Sequence, residues 1–306
     1  MFKEKFQEGI ITARTFDRED IEYLLKKAKE MLQNDKNLDL LKGKILATLF
    51  FEPSTRTRLS FESAMHRLGG EVIGFSSADA SSIKKGESIA DTIRTVENYS
   101  DCIVIRHPLE GAATLAAKFA RVPIINAGSG SGEHPTQALL DLLTINEEEG
   151  QIDGLNIGIM GDLKYGRTVH SLAILLSKFD VNIYFISPKD LMLRNRDKEL
   201  LQQRKVKYKE VEKYRDILKV LDILYVTRIQ KERFADVEEY DRVKSFYIFT
   251  NEDLKITKNN FKIMHPLPRV TEISPEIDSS DKAIYFRQAY YGIPMRKAIL
   301  AELLSD

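Results

Sequence analysis

Apolar residues recur along the chain with two different periods, and these alternate. After Asp17 and Asp20, both suited to a helix start, Ile21, Leu24, Leu25, Ala28, Met31 and Leu32 return at helical spacing and predict an amphipathic first helix. The run KILATLFF (44–51) predicts a strand, followed by a helix over about 57–68 that Gly69-Gly70 stops, then the strand EVIGF (71–75). A polar Ser/Lys/Gly stretch (76–86) leads to a helix over 88–99 and the strand DCIVIR (101–106). A helix over 111–119, the strand VPIINAG (122–128) and a helix over 135–149 complete this half.

The acidic run EEEGQIDG (147–154) closes that helix and is the best linker candidate, because a new alternating series opens at once with LNIGIMGD (155–162). A helix over 167–178, VNIYFIS (181–187), a helix over 190–203, DILYVT (222–227), a further helix, FYIF (246–249) and KIMHPL (262–267) follow. A final helix, about 287–304, is expected to be interrupted by Gly292 and Pro294. Strand and helix alternating in this way predict an α/β protein of two doubly wound domains, each a mostly parallel sheet with helices on both faces. The 306 residues are about twice a common single domain, which supports two cores.

Charge narrows the partners. Lys plus Arg and Asp plus Glu both number 46, so no overall basic field draws the chain to nucleic acid or an anionic membrane, and any anion site must be local. Cys102, the only cysteine, precedes Ile103 to Ile105 and reads as a buried strand thiol, which fits a reducing, cytoplasmic setting. The start MFKEKFQEG is too charged for a signal peptide core, and no apolar run reaches the roughly 18 residues of a membrane span.

In open parallel sheets ligands gather outside the carboxyl ends of strands, so the residues just after each strand carry the chemistry. After KILATLFF, Ser54, Thr55, Arg56, Thr57 and Arg58 place hydroxyls and guanidinium forks at a helix start. A phosphate site would be built this way, and so would a Ser54 or Thr55 cap with solvated arginines. Arg106 ends DCIVIR; a Gly/Ser loop after VPIINAG runs into a helix carrying His134 and Gln137 on one face. LNIGIMGD is followed by Arg167, DILYVT by Arg228, Gln230 and Arg233, and FKIM by His265, Pro266, Leu267, Pro268 and Arg269, whose prolines leave carbonyls free to accept. GxxxxGK[ST] is absent, and Gly158, Gly161 and Gly166 do not fit GxGxxG, which weighs against a P-loop or dinucleotide site. Arg56, Arg106, Arg167 and Arg228 each follow a strand in a chain of zero net charge, so the expected ligand carries several negative charges.

FFEPSTRTR, SSIKKGES, HPTQ, GDLKYGRT, TRIQKER and HPLPR, in this order, resemble the aspartate/ornithine transcarbamoylase family, from about residue 45 to the last helix. The resemblance implies a carbamoyl-phosphate domain over 1–134, completed by a terminal helix 288–306, and an aspartate domain over 135–287. It implies that Ser54, Thr55, Arg56 and Thr57 bind carbamoyl phosphate, with Arg106, His134 and Gln137 on its carbamoyl group and phosphate, and Pro266, Leu267 and Pro268 taking the carbamoyl NH2. Arg167 then partners the α-carboxylate of aspartate, and Arg228 with Gln230 its β-carboxylate. Ser81 and Lys85 match a mobile loop that serves the neighbouring subunit of a homotrimer. Arg56, Thr57, Lys85, Arg106 and His134 are the catalytic candidates; no cofactor or metal is implied, and a separate regulatory chain is left open as a partner. Ser129 departs from the aspartate many relatives carry, and Arg296 reads as a structural ion-pair residue. An ornithine-type enzyme is the nearest rival, against which Arg228, Gln230 and the absence of a cysteine after His265 speak; a non-catalytic anion-binding protein on the same fold is the other.

Overall fold

A computed structural model of the chain describes residues 2–33, 38–77, 86–229, 238, 240 and 247–305. The chain divides into two compact units, 1–143 with 290–306 and 144–289. The division falls inside two helices, one of them past the 134/135 boundary expected from the sequence, so the helix expected to open the second domain lies mostly with the first unit.

The first unit holds β1 (Gly9–Ile10), β2 (Ile45–Phe50), β3 (Glu71–Phe75), β4 (Cys102–His107) and β5 (Ile124–Ser129), all parallel, in the order β1-β5-β4-β2-β3. Its helices are α1 (Phe2–Lys5), α2 (Arg18–Gln33), α3 (Thr55–Arg67), α4 (Ile89–Val96), α5 (Ala112–Phe119) and α6 (Pro135–Glu149). Successive strand residues face opposite ways, so Ala47, Leu49, Ile103 and Ile105 pack with Ile93 of α4 and Ala113 and Ala116 of α5. Leu46, Phe50, Cys102 and Val104, one residue out of step, are equally buried on the other face. Burial on both faces is why these strands read as continuous apolar runs.

The second unit repeats the plan with β6 (Asn156–Met160), β7 (Asn182–Ile186), β8 (Lys207–Val211), β9 (Ile223–Val226) and β10 (Lys262–Met264), ordered β10-β9-β6-β7-β8 and again parallel. Around them lie α7 (Arg167–Leu176), α8 (Asn195–Gln203), α9 (Asn251–Leu254) and the first part of α10 (Tyr285–Leu304). Met160, Leu224, Val226, Tyr247, Phe249, Phe261 and Ile263 share one core with Tyr214 and Tyr285. Tyr214 donates to the Ile248 carbonyl at 3.0 Å and to Asp253 at 2.9 Å, and Asp253 also accepts from Arg215 at 2.6 Å and from the Thr250 amide at 2.9 Å.

Three expectations need correction. The described residues of FYIF, 247–249, do not form a strand: Phe249 alone makes a bridge, to Ile273, while Tyr247 and Phe249 are buried in the core. A strand the pattern did not predict, β8, forms the edge of the second sheet from the charged segment KYKEV, with Lys207, Lys209 and Glu210 turned to solvent. The last helix runs unbroken through Gly292 and Pro294. Gly292 is there for a packing reason, since a Cβ would lie 2.3 Å from Arg296 Nη1 and 3.2 Å from Ser60 Oγ. The further helix expected between DILYVT and FYIF lies largely outside the described residues. Among the described residues no helix is long and apolar enough to cross a membrane.

Candidate active site

Each sheet reverses its winding once. The chain runs from β2 out to β3 and returns on the far side of β2 as β4; it runs from β6 to β7 and β8 and returns on the far side of β6 as β9. A reversal splays the crossing connections apart and opens a crevice at the strands' carboxyl ends. The arginines picked from the sequence fall at these two places.

In the first unit Phe50 pairs with Arg106, and the Phe51 amide donates to the Arg106 carbonyl at 2.8 Å, so the start of α3 and the end of β4 are adjacent. Ser54 stands at the N-cap of α3 with extended backbone, but its side chain does not cap the helix. The Thr55, Arg56 and Thr57 amides have no acceptor among the described residues, leaving the positive end of a four-turn helix open. Arg56 is exposed and makes no hydrogen bond or ion pair among the described residues, and the protein packed around its stem lowers its pKa. Arg58 is committed elsewhere: its Nε lies 2.6 Å from Glu62 Oε1, one turn on. The capping reading therefore fails, and the donors at 54–57 remain available to an anion. Arg106 is nearly covered and donates to Glu52 Oε1 at 2.8 Å and to the Ala127 carbonyl at 3.4 Å.

Because β5 pairs with β4, the loop after β5 lies next in line. Asn126 Oδ1 accepts from the Gly128 amide at 2.9 Å and from Ser129 Oγ at 3.0 Å, so Ser129 contributes a hydrogen bond of its own to this turn. His134 and Gln137 follow at the start of α6, both buried; His134 Nδ1 lies 3.4 Å from Thr136 Oγ1, and Gln137 Nε2 donates to Asp141 at 2.9 Å. Arg296 is 2% exposed, donates to Ser60 Oγ at 2.7 Å and stacks over Phe61. Burial lowers its pKa to about 10 against the opposing charge of Asp141.

In the second unit Gly161 ends β6 at φ +122°, where a Cβ would meet the Thr227 carbonyl at 2.3 Å. This close approach sets Asp162 beside the end of β9, where Arg228 follows Thr227. Arg167 begins α7 and is 8% exposed. The turn before it is tied down twice: Asp162 accepts from the Tyr165 amide at 2.8 Å, and His170 Nε2 lies 2.9 Å from the Leu163 carbonyl while Arg194 holds Nδ1 at 2.8 Å. Arg228 lines a recess of about 50 Å³ with Met160, Thr227, Tyr247, Thr271 and Glu272.

Pro266, Leu267 and Pro268 leave β10 in a turn with Leu267 at φ +55° and a cis Leu267–Pro268 bond. The sequence pointed to His265 and Arg269 here but not to Glu272, which helps to hold the turn. Buried His265 accepts the Leu267 amide on Nδ1 at 2.8 Å and faces Glu272 with Nε2 at 2.7 Å; Glu272 Oε2 accepts the Val270 and Thr271 amides at 3.1 and 3.0 Å. Burial would raise the Glu272 pKa, but the His265 hydrogen bond and the amides outweigh it and hold the carboxyl below its ordinary value. Arg269 pairs with Asp278 and donates to Tyr285 Oη at 2.8 Å, so it braces the turn. Ser81, Lys85 and Gln230 lie outside the described residues.

The carbamoyl-P binding domain of the aspartate/ornithine carbamoyltransferases matches residues 9–147, and the Asp/Orn binding domain of the same family matches residues 153–303. The chain belongs to the aspartate/ornithine carbamoyltransferase family. Within it, the chain is 60% identical over 294 residues to the aspartate carbamoyltransferase catalytic subunit of Thermococcus kodakarensis, covering 95% of each. It is 54% identical to that of Archaeoglobus fulgidus over 300 residues, 96% of this chain and 98% of the relative. Among solved structures, aspartate transcarbamoylase from Trypanosoma cruzi in complex with carbamoyl aspartate and phosphate aligns at a TM-score of 0.93 and 42% identity, over 99% of this chain and 98% of that one. The catalytic subunit of the M. jannaschii enzyme aligns at 0.89 and 53%, over 97% of each. The two matched domains also account for the two reversals: each carries its own strand-end arginines.

Proposed function

We propose that this carbamoyltransferase moves the carbamoyl group of carbamoyl phosphate to the α-amine of L-aspartate, giving N-carbamoyl-L-aspartate and phosphate, an early step of pyrimidine synthesis. The observation that carries this reading is Arg56 at the open N-terminus of α3: an exposed guanidinium without a protein partner among the described residues, beside three amides that likewise have no acceptor there. Ser54, Thr55, Arg56 and Thr57 hold the phosphate there, and Arg106, His134 and Gln137 serve the carbamoyl group and phosphate. Pro266 and Leu267 carbonyls accept the carbamoyl NH2, with Pro268 fixing the turn. Arg167 takes the α-carboxylate of aspartate, and Arg228 with Gln230 the β-carboxylate.

The neutral amine attacks the carbamoyl carbon, a C–N bond forms, and the tetrahedral intermediate collapses with loss of the C–O bond to phosphate, which can carry off the amine's proton. Negative charge gathers on the carbamoyl oxygen in between, and Thr57, Arg106 and His134 are assigned as its donors. The two substrates bring about four negative charges together, a repulsion the arginines and Lys85 must offset. Planar guanidinium forks suit phosphate and carboxylate alike. Catalysis on this reading is positioning and electrostatics, with no nucleophile-base pair.

The assembly proposed is a cytoplasmic homotrimer in which Ser81 and Lys85 act in the neighbouring subunit; whether a regulatory chain joins it is a question for sizing of the native complex. Incubating the protein with carbamoyl phosphate and either aspartate or ornithine, and following phosphate and ureido product, tests the reaction. Turnover is expected with aspartate. Turnover with ornithine alone would reassign the acceptor, and none with either would favour a binding protein.

A further inference from the structure

The turn after β10 contains an acceptor whose direction is set by one side chain. In a trans peptide the C=O and the following N–H lie in one plane and point opposite ways. The Pro266–Leu267 peptide is of this kind, since the cis bond is the next one along. Its N–H donates to His265 Nδ1 at 2.8 Å, so the Pro266 carbonyl is turned away from the imidazole. A backbone N–H can only donate, so Nδ1 must be bare, and the ring hydrogen sits on Nε2, where Glu272 Oε1 receives it at 2.7 Å. Glu272 is anchored in turn by the Val270 and Thr271 amides, and the His265 amide by Gln288 Oε1 at 2.8 Å. Leu267, held at φ +55°, is in a region that a branched side chain enters only when its surroundings enforce it.

We infer that His265 is a positioning residue for the carbamoyl amide: by accepting the Leu267 N–H on a bare Nδ1, with Glu272 selecting the tautomer, it aims the Pro266 carbonyl at the substrate's NH2. The inference rests on the carbamoyl-phosphate reading above. It assigns the two ring nitrogens different duties, and two substitutions separate them. Asn places its side-chain oxygen near the position of Nδ1 and keeps the acceptor for Leu267; Gln reaches the position of Nε2, keeps the donor to Glu272 and loses that acceptor.

His265→Gln is expected to weaken carbamoyl phosphate binding about ten- to a hundredfold, the usual scale for one misdirected buried hydrogen bond. Inhibition by inorganic phosphate, which has no NH2, should move less than about threefold. His265→Asn should stay within about fivefold of the parent for both ligands. If the two variants lose carbamoyl phosphate binding equally, or lose phosphate binding in proportion, His265 merely holds the fold and the inference fails. The tautomer can also be read without a variant, by nitrogen NMR of the parent protein, whose five histidines make a tractable spectrum. A protonated Nδ1 on His265 at neutral pH overturns the inference even if the variants do not fold. Should the parent bind no carbamoyl phosphate at all, the functional reading falls, while the NMR result still decides whether His265 sets the turn.

Discussion

Arg56→Ala and Arg58→Ala are two residues apart on one helix, yet the structure assigns them opposite outcomes. Arg56, at the second position of α3, is exposed and has no partner among the described residues. A guanidinium gripping phosphate with two charge-assisted hydrogen bonds, each about 1.5–3 kcal/mol, is worth roughly 3–6 kcal/mol. At about 1.4 kcal/mol per tenfold, Arg56→Ala should cut kcat/KM with carbamoyl phosphate by roughly a hundred- to ten-thousandfold. Stability should move the other way. A cation in the first turn opposes the helix dipole, so its removal should leave the fold unchanged or firmer by about 0.3–0.5 kcal/mol. Arg58 pairs with Glu62 across one turn, and both are partly exposed. Such a pair contributes about 0.3–0.5 kcal/mol of stability, so Arg58→Ala should keep kcat/KM within roughly threefold. Phosphate release under saturating aspartate, with thermal unfolding of each variant, makes the comparison. A comparable activity loss for Arg58→Ala in a folded protein, or less than tenfold for Arg56→Ala, would refute the assignment.

Other changes bear on other parts. Gly161→Ala should destabilise by more than about 2 kcal/mol, because a Cβ would sit 2.3 Å from the Thr227 carbonyl; since that contact aligns the end of β9 with β6, surviving protein should show a raised KM for aspartate, measured by initial rates. Arg167→Lys and Arg228→Lys should each raise that KM at least about tenfold, because a point charge replaces a planar fork, while carbamoyl phosphate binding measured calorimetrically stays near the parent value. Asp253 is buried, which raises its pKa, but Arg215, the Thr250 amide and Tyr214 outweigh burial and hold it below 3.8. Its folded-state pKa is depressed, so its contribution is present above the unfolded value and lost as pH falls through the folded one. Asp253→Asn should therefore lower stability by about 1–3 kcal/mol at neutral pH and flatten the acid limb below about pH 4 in denaturant titrations. Folded, assembled Arg56→Ala and Lys85→Ala chains mixed as hybrids should regain activity; uniformly inactive hybrids would show that Lys85 does not act in the neighbouring subunit.

What the sequence revealed and what it withheld divide along physical lines. Central strands such as ILATLF and CIVI are buried on both faces, so an unbroken apolar run announces them. The edge strand KYKEV keeps Lys207, Lys209 and Glu210 in solvent and carries no such signal. FYIF shows the converse: Tyr247 and Phe249 fill the core, yet the backbone pairing of the described residues there stops at one bridge. The strand-end arginines were legible because a doubly wound sheet puts ligands in a predictable place. The four-residue spacing of Arg58 and Glu62, which the sequence also carries, suits the ion pair that the helix forms. The His265–Glu272 pairing was not, because it depends on a turn whose backbone path only the folded chain displays.

The repeated reversal of the two sheets has a bearing on how such an enzyme can change. The two sheets reverse separately, at β2/β4 and at β6/β9; on the proposed reading donor recognition by residues 54–57 hangs on the first and acceptor recognition by Arg167 and Arg228 on the second, so the loops that choose the nucleophile can be redrawn without touching those that grip the phosphate. A single duplicated plan thus lends itself to a set of enzymes that keep one activated donor and exchange the amine it is given to. Transplanting the segment after β9 between such enzymes should retarget the acceptor while leaving phosphate inhibition where it was.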